Sequence, residues 1–392
     1  MKRLELLKKV KRYLRRNRED IPISLLLLGL TIITVSTVYI NNFVFGSFVH
    51  ISNPLVIAGT TQTKQHQEYY ESIEVITDTK ESIPFDDNAE LSVQKKKVPS
   101  FVTIKNRKLV IQPAHSDVGN YNFKVTTDTQ KAQIIYHYTV QVILPPVDFQ
   151  ALKKEVKKIL GEEIDHYAIA AYDLKRKQGF YINGNVVMRP GSTSKLPYGI
   201  IVLRDVDAGK YSLGSVEPYL KRMLQYSDNT AMMHLDNLLG GYQIHNSRVV
   251  EELGVGNWFR HPHTCTANDI VKTYKGIYYQ KYLSKELNDY LINLLVNAHP
   301  GFDNRIKQGI PDTLDVAHKT GYVWTDHGYA YNDTALIFGN KTDFILVILD
   351  KDTTPDAAVA MMKPISETVY NELDGGDNPV VLGISSFRYY PY

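Results

Sequence analysis

The chain has 392 residues, enough for a membrane segment and about two domains, and its apolar and charged fractions are ordinary for globular protein. Its formal net charge is +3, but nine Lys/Arg against three Asp/Glu give residues 1–20 a net charge of +6, so the remainder carries −3. This charge balance gives the bulk of the chain no electrostatic reason to bind nucleic acid.

An uncharged apolar run, IPISLLLLGLTIITVSTVYI, covers residues 21–40. Its length is sufficient to cross a bilayer as a helix, and the basic residues before it favour a cytoplasmic N-terminus. A cleaved signal peptide is the alternative, but its apolar region would be shorter and followed by small residues at a cleavage site. We therefore predict a cytoplasmic tail over residues 1–20 and an uncleaved transmembrane signal anchor over residues 21–45, with the rest outside the cytoplasm.

Residues 46–69 are predicted to be a stalk, and residues 70–146 a small β module. In this module Val and Ile alternate with polar residues, which is typical of half-buried strands. The predicted strands are Ser72–Thr77, Phe101–Ile104, Lys108–Ile111, Asn120–Thr126 and Ile134–Ile143. The stretch DVGNYNF at residues 117–123 resembles the turn in bacterial immunoglobulin-like modules where a tyrosine closes a corner. We predict an immunoglobulin-like β-sandwich that acts as a spacer or, alternatively, binds a ligand.

The predicted C-terminal domain, residues 147–392, begins after Pro145 and Pro146. Asp148 is a candidate N-cap for a helix with apolar positions at Phe149, Leu152, Val156 and Ile159/Leu160. Strands are predicted over Tyr167–Tyr172 and Gly179–Ile182, and further helices over Val216–Gln225, Asn229–Leu239, Ser247–Leu253, Thr266–Tyr279 and Ser284–Asn297. An antiparallel meander is predicted over Asp315–Val323, Tyr329–Phe338 and Phe344–Leu349, then a helix over Asp356–Glu372 with a kink at Pro364. Strands that flank a helical insert indicate an α+β fold.

Ser192 and Lys195, within the segment Gly191–Pro197, are the first candidate catalytic pair. A serine hydroxyl is a weak nucleophile that needs an adjacent base. A helix that begins near Ser192 would place Lys195 one turn later on the same face. The spacing alone is not specific, because Ser92 and Lys95 repeat it in a lysine-rich stretch.

Two further motifs each occur once: Ser-Asp-Asn at residues 227–229 and Lys-Thr-Gly at residues 319–321. Together with Ser-x-x-Lys, in this order, they form the set found in class A β-lactamases and penicillin-binding proteins. Residues 150–375 therefore resemble the penicillin-recognising serine hydrolase family, most closely its class A β-lactamase branch. The resemblance implies a β-lactamase/transpeptidase-like fold, with an antiparallel sheet flanked by helices and a helical subdomain.

The resemblance also implies catalytic roles. Ser192 would attack the substrate carbonyl and form the acyl-enzyme, and Ser227 would relay a proton to the leaving nitrogen. Lys195 could accept the Ser192 proton if burial and a nearby Lys319 lower its pKa. Whether the lysine is the acylation base is disputed for this family.

Substrate-binding roles follow from the same resemblance. Asn229 would orient the catalytic lysine and bind the substrate's side-chain amide. Lys319 and Thr320 would hold the substrate carboxylate, and Gly321 would let substrate backbone lie close to the strand. The backbone N–H groups of the nucleophile and of Tyr322 would form the oxyanion hole. The resemblance implies no metal and no cofactor.

The sequence departs from class A β-lactamases at the Ω-shaped loop, whose glutamate activates the deacylating water. The corresponding interval, residues 254–265, is too short for the full loop and contains no Glu or Asp. Glu251 and Glu252 precede it and are predicted to be solvated. His261 or His263 could act as a base, because histidine titrates near neutrality. We therefore expect slow deacylation.

The leading hypothesis is a membrane-anchored serine hydrolase outside the cytoplasm that is acylated by β-lactams or by D-Ala-D-Ala peptidoglycan stem peptides. One alternative is a competent β-lactamase with a substitute base. A second alternative is a non-catalytic domain that senses cell wall or β-lactam. The single cysteine, Cys265, excludes an internal disulfide and is predicted to be structural.

Overall fold

The computed structural model describes residues 65–85, 90–93, 98–128, 132–256 and 264–375. The predicted cytoplasmic tail and signal anchor lie outside these ranges, as do almost the whole stalk and the two loop histidines His261 and His263. No helix within the described ranges is long and apolar enough to span a membrane.

The described residues before Leu144 form two sheets. Their strands are β1 (Gln65–Ile76), β2 (Glu81–Pro84), β3 (Glu90–Val93), β4 (Val102–Lys105), β5 (Lys108–Ile111), β6 (Gly119–Asp128) and β7 (Ala132–Ile143). One sheet has the order β1-β7-β6-β3 and the other β2-β5-β4. Tyr138, Val140 and Val142, at alternate positions of β7, are buried, as the period of two in the sequence predicts. β2 and β3 were not predicted.

The chain divides into two compact units. One holds residues 121–139 and most of the four-stranded sheet, and the other holds the three-stranded sheet and everything from residue 140 onwards. The immunoglobulin-like identity of the first strands and the domain boundaries stay predictions.

From residue 147 onwards the fold is α+β, as predicted. Its helices are α1 (Phe149–Leu160), α2 (Lys195–Asp207), α3 (Leu213–Gln225), α4 (Asn229–Leu238), α5 (Tyr242–Leu253), α6 (Ala267–Tyr278), α7 (Lys285–Val296) and α8 (Pro355–Leu373). Its strands are β8 (Tyr167–Asp173), β9 (Gln178–Ile182), β10 (Asp315–Trp324), β11 (Tyr329–Phe338) and β12 (Phe344–Asp350). They form one sheet in the order β10-β11-β12-β8-β9. The predicted antiparallel meander of the last three strands is confirmed.

One element prediction needs correction. The helix predicted from Ser247 begins at Tyr242, directly after Gly241 at φ +98°. The prediction missed the first turn because that turn carries little apolar periodicity. The terminal helix is continuous from Pro355 to Leu373, and the kink at Pro364 stays a prediction.

Both faces of the five-stranded sheet are buried. On β12, Phe344, Leu346 and Ile348 belong to one core with α1 and α8. The intervening residues Ile345 and Val347 belong to a second core with the helices of the central insert. Each such side chain contributes about 1.5–3 kcal/mol relative to an exposed one, so this sheet is a rigid base for the strand that carries Lys-Thr-Gly.

Candidate active site

The Ser192 turn is a 3₁₀-helix, Gly191–Ser194, which continues directly into α2 at Lys195. An α-helix was predicted to begin here, so the structure differs in the type of the first turn. In a 3₁₀-helix the side chains at positions i and i+3 eclipse one another. Lys195 Nζ accordingly lies 3.0 Å from Ser192 Oγ, which brings the predicted nucleophile and base together.

Lys195 is almost wholly buried, with 1% of its surface exposed. Its Nζ also donates to the Ser227 carbonyl at 2.5 Å and to Asn229 Oδ1 at 2.6 Å. Burial lowers the pKa of Lys195 to about 8, against a smaller opposing effect of the Asp228 carboxylate. A neutral amine has two N–H donors and one lone pair. The two carbonyl oxygens satisfy the donors, which leaves the lone pair for the Ser192 hydroxyl.

Ser227 lies in the short connection between α3 and α4, in the left-handed region at φ +59°. This conformation costs a residue other than glycine of order 1–3 kcal/mol and needs support from its surroundings. Asp228 supplies that support as the N-cap of α4, where its side chain accepts from Thr230 N at 2.7 Å and Ala231 N at 3.1 Å. Arg222 Nε donates to the same carboxylate at 2.8 Å. These bonds, the one from Ala231 first, lower the pKa of Asp228 and fix the Ser227 loop.

Lys319 approaches Ser227 from the opposite side. It is 2% exposed, and its Nζ donates to Ser227 Oγ at 3.0 Å and to the Thr320 carbonyl at 2.9 Å. Burial lowers its pKa well below the usual lysine value, and the charges of Lys195 and Arg305 add to this effect. Ser227 Oγ is thus between two buried amines, since Lys195 Nζ lies 3.4 Å away.

Two glycines allow β10 to lie against the Ser192 turn. A Cβ on Gly321 would lie 2.1 Å from the Pro190 carbonyl oxygen. A Cβ on Gly191, which has φ +55°, would lie 2.6 Å from Tyr322 N. Any side chain at either position would push the strand and the turn apart. The Tyr322 amide is therefore next to the nucleophile turn, as the predicted oxyanion hole requires.

The structure thus joins Ser192, Lys195, Ser227, Asn229 and Lys319 in one hydrogen-bonded cluster. Thr320 is buried, whereas Tyr322 is 44% exposed and stacks its ring on Tyr329. Their roles towards a substrate stay predictions. Among the described residues, none forms a cluster of His, Cys, Asp or Glu that could hold a metal ion.

The segment between α5 and α6 contributes no acidic residue in its described part. α5 ends at Leu253 and α6 begins at Ala267, close to the predicted bounds, and the described residues between them include no Asp or Glu. Within the described part of the chain, no carboxylate hydrogen-bonds to Ser192 or Lys195. Cys265 is fully buried, which raises the pKa of its thiol and makes it unsuitable as a nucleophile.

The prediction of a solvated Glu252 is wrong. Its carboxylate accepts from Arg204 Nε at 2.7 Å and from Arg248 Nε at 2.6 Å, and these ion pairs lower its pKa against the effect of burial. Arg204 lies on α2 and Arg248 one turn before Glu252 on α5, so only the packing of the two helices creates the first pair. Glu251 is exposed, as predicted.

Two residues next to the site carry no sequence signal. Arg305 is 4% exposed and donates to the Gly321 carbonyl at 2.9 Å. Asn332 is fully buried on β11 and donates from Nδ2 to the Arg189 carbonyl at 2.7 Å. Both side chains donate to backbone carbonyls of residues that are distant in sequence. No short motif could therefore identify them.

The sequence matches the model of the beta-lactamase enzyme family over residues 151–219 and 214–373, which together exceed half of the chain. Comparison with curated proteins gives no match.

Several solved structures share the fold. A β-lactamase from Chitinophaga pinensis superposes with a TM-score of 0.52 at 22% identity, covering 56% of this chain and 98% of that one. The TLA-3 extended-spectrum β-lactamase has a TM-score of 0.53 at 20% identity, covering 57% and 98%. PBP-A has a TM-score of 0.51 at 18% identity, covering 58% and 98%. On this combined sequence and structural likeness, the chain belongs to the beta-lactamase enzyme family, as a serine hydrolase with the class A β-lactamase fold.

Proposed function

We propose that this protein is a membrane-anchored enzyme outside the cytoplasm that is acylated at Ser192 by β-lactams and by D-Ala-D-Ala stem peptides, and that releases the acyl group slowly. The observation that carries the proposal is the pair of buried amines, Lys195 and Lys319, that both contact Ser227 Oγ, with Lys195 also 3.0 Å from Ser192 Oγ. The same site has no described carboxylate at the nucleophile.

Acylation begins with attack of Ser192 Oγ on the substrate carbonyl carbon. The Ser192 proton passes to Lys195 Nζ across 3.0 Å, and the carbonyl π electrons move to oxygen. With a pKa of about 8, Lys195 is neutral in roughly one tenth of molecules at pH 7. This fraction is large enough for general base catalysis, which typically accelerates a step by about 10²–10⁴.

Collapse of the tetrahedral intermediate breaks the C–N bond, and the leaving nitrogen needs a proton. Ser227 Oγ gives its proton to that nitrogen and takes another from the protonated Lys195, which returns the amine to its neutral form. Lys319 donates to Ser227 Oγ at 3.0 Å, so it occupies an oxygen lone pair and leaves the hydroxyl proton free to point at the substrate. The products are the Ser192 ester and a neutral amine.

The substrate carboxylate binds next to Lys319 and Thr320 in this proposal. An anion there would raise the depressed pKa of Lys319 and keep the ammonium form, so charge pairing replaces the solvation that burial removes. Asn229 is exposed, and its Oδ1 accepts from Lys195 Nζ, so its Nδ2 would donate to a substrate carbonyl. The N–H groups of Ser192 and Tyr322 would bind the developing oxyanion.

Deacylation repeats this chemistry with water as the nucleophile, and it needs a base for that water. The described residues offer no carboxylate at the ester, and the short interval between α5 and α6 contains none in its sequence. The acyl-enzyme should therefore persist. This favours a penicillin-binding enzyme that acts on stem peptides over an efficient β-lactamase.

The location outside the cytoplasm rests on the sequence. The uncharged run at residues 21–40 and the basic residues before it support a single-pass anchor with its N-terminus in the cytoplasm. The strands between the anchor and the enzyme would act as a spacer. This arrangement would bring the site to the compartment where peptidoglycan lies.

The test uses the full-length protein in detergent and an N-acylated L-Lys-D-Ala-D-Ala peptide, with D-alanine release as the measurement. The proposal predicts release by the wild type and none by Ser192→Ala. A chromogenic cephalosporin tested in parallel should be consumed in about stoichiometric amount. Continuous rapid turnover would favour the competent β-lactamase. Neither release nor acylation would favour the non-catalytic sensor.

A further inference from the structure

Arg305 is a buried cation whose hydrogen bonds all go to backbone. Its Nη1 donates to the Gly321 carbonyl at 2.9 Å and also to the Asn332 carbonyl, and the guanidinium lies 3.7 Å from the centroid of the Tyr331 ring. No Asp or Glu in the described ranges forms an ion pair with it. Burial of a guanidinium without an ion-pair partner costs folding free energy. If the residue served packing alone, an apolar side chain of the same volume would avoid that cost.

The Gly321 carbonyl belongs to the same peptide group as the Tyr322 N–H, the predicted oxyanion donor. A peptide group is planar, so a bond that fixes its oxygen also fixes the direction of its N–H. A cation at the oxygen draws electron density through the amide, and hydrogen bonds in such chains strengthen one another. Arg305 thus orients the Tyr322 N–H and increases its strength as a donor.

Asn332 links strands β10 and β11 to the segment that carries the Ser192 N–H, the second predicted donor of the oxyanion hole. Its Nδ2 holds the Arg189 carbonyl at 2.7 Å, three residues before Ser192. Its Oδ1 accepts from Asp350 N at 3.0 Å, which fixes the side chain to β12. The backbone carbonyl of Asn332 accepts from Arg305. Asn332 thus contacts Arg305, which bonds to the Gly321–Tyr322 peptide, and also the segment that leads to Ser192.

We propose that Arg305 and Asn332 form a buried brace that sets the geometry and strength of the oxyanion hole. Arg305 does so through the Gly321–Tyr322 peptide, and Asn332 through the segment that enters the Ser192 turn. This inference rests on the proposed acyl transfer at Ser192. Both are positioning residues, because they touch backbone groups and not the reacting atoms.

The test is infrared spectroscopy of the acyl-enzyme formed by full-length protein and benzylpenicillin with a ¹³C-labelled β-lactam carbonyl. Stronger oxyanion-hole bonds lower the stretching frequency of the ester carbonyl. The frequency should rise in Arg305→Met and in Asn332→Ala. Loss of one oxyanion donor costs about 10²–10³ in rate, so a loosened donor should slow acylation by about 10–100-fold.

A second acyl donor, a thioester without a carboxylate, separates this role from binding of the substrate carboxylate. The brace predicts similar slowing with both donors. Arg176→Met is the matched control, because Arg176 is also a largely buried arginine and pairs with Asp173 away from the site. It should lower stability without a change in carbonyl frequency.

Three results would overturn the brace. One is an unchanged frequency and rate in Arg305→Met while the wild type is acylated, which leaves the proposed function intact. Another is slowing only with the carboxylate-bearing donor. The third is a wild type that no acyl donor modifies, which overturns the proposed function as well. If Arg305→Met does not fold by circular dichroism, Arg305→Gln is measured in the same way and decides by the same criteria.

Discussion

The hydrogen-bonded cluster around Ser227 and the segment between α5 and α6 differ in the residues that they offer the proposed reaction. On the side of α2, the Ser227 loop and β10, two buried lysines, a serine and an asparagine form a continuous hydrogen-bonded cluster. In the segment between α5 and α6, the described residues include no Asp or Glu. In the proposed mechanism, acylation and deacylation use the same oxyanion hole but need different bases. Our proposal therefore expects acylation to be efficient and deacylation to be slow.

A chain can therefore belong to the beta-lactamase enzyme family without being an efficient β-lactamase. The residues proposed to form the acyl-enzyme lie together in one hydrogen-bonded cluster, while the described residues place no carboxylate in hydrogen-bond contact with Ser192 or Lys195. The following experiments test the contribution of the cluster to acylation, from the largest expected effect to the smallest.

The largest effect is expected for Ser192→Ala, which removes the acylated oxygen. No covalent penicillin adduct should form, because Ser227, the other site serine that contacts a buried amine, relays protons in this mechanism. Ser194→Ala is the matched control, since Ser194 Oγ donates only to the Gly191 carbonyl in the same turn. An adduct on Ser192→Ala, detected by intact mass, would place the nucleophile elsewhere.

Lys195→Met should slow acylation by about 10²–10⁴, the usual contribution of a general base. The change keeps the volume of the buried side chain and removes the group that accepts the Ser192 proton. Stopped-flow acylation with a chromogenic cephalosporin measures the rate. Lys210→Met, at a largely exposed lysine paired with Asp205, is the control and should acylate like the wild type. Equal rates in the two variants would exclude Lys195 as the base.

The pH dependence should reflect the same group. Only neutral Lys195 accepts a proton, so acylation efficiency should rise about tenfold per pH unit below the pKa of about 8 and level off above it. Between pH 6 and pH 8 the increase should be about 50-fold. The measurement is the second-order acylation rate constant at constant ionic strength. A flat profile over this range would mean that another group is the base.

Gly321→Ala should slow acylation by at least about tenfold, because the new Cβ would meet the Pro190 carbonyl oxygen at 2.1 Å and push β10 away from the Ser192 turn. Gly214→Ala is the control. Gly214 lies in α3 with open space where a Cβ would stand, so alanine there should add up to about 1 kcal/mol to the free energy of unfolding. Normal acylation by Gly321→Ala would show that the close approach of strand and turn is not needed.

The smallest effect is expected for Asp228→Ala. Loss of an N-cap costs about 1 kcal/mol of folding free energy, and the Ser227 loop should also loosen, so acylation should slow several-fold. Asp148 caps α1 with the same pair of backbone bonds, at 2.9 and 3.0 Å, far along the chain from the site. Asp148→Ala should lose similar stability in urea without slower acylation. Equal acylation in both variants would remove any role of Asp228 in shaping the site.

Much of the catalytic domain could be predicted from the sequence because its signals are local. Apolar periodicity and the Asp148 cap set α1, and alternation set the three-strand meander. The Ser192–Lys195 contact followed from a spacing of three residues. The motifs at residues 227–229 and 319–321 were found because short segments carry them.

The sequence could not provide contacts that depend on packing between distant segments. Arg305 reaches Gly321 and Asn332 reaches Arg189 only after the sheet has formed. Glu252 is paired because α2 and α5 pack together, which reversed its predicted solvation. The first turn of α5 was missed because a glycine boundary, and not an apolar repeat, defines it.

The most direct test of slow release is the intact mass of the full-length protein, followed over time after addition of benzylpenicillin. We predict an adduct on Ser192 that forms quickly, persists for hours and is absent from Ser192→Ala. A transient adduct with continuous accumulation of penicilloate would contradict this account. It would mean that a base for deacylation is present, and His261 and His263 would be the first residues to change.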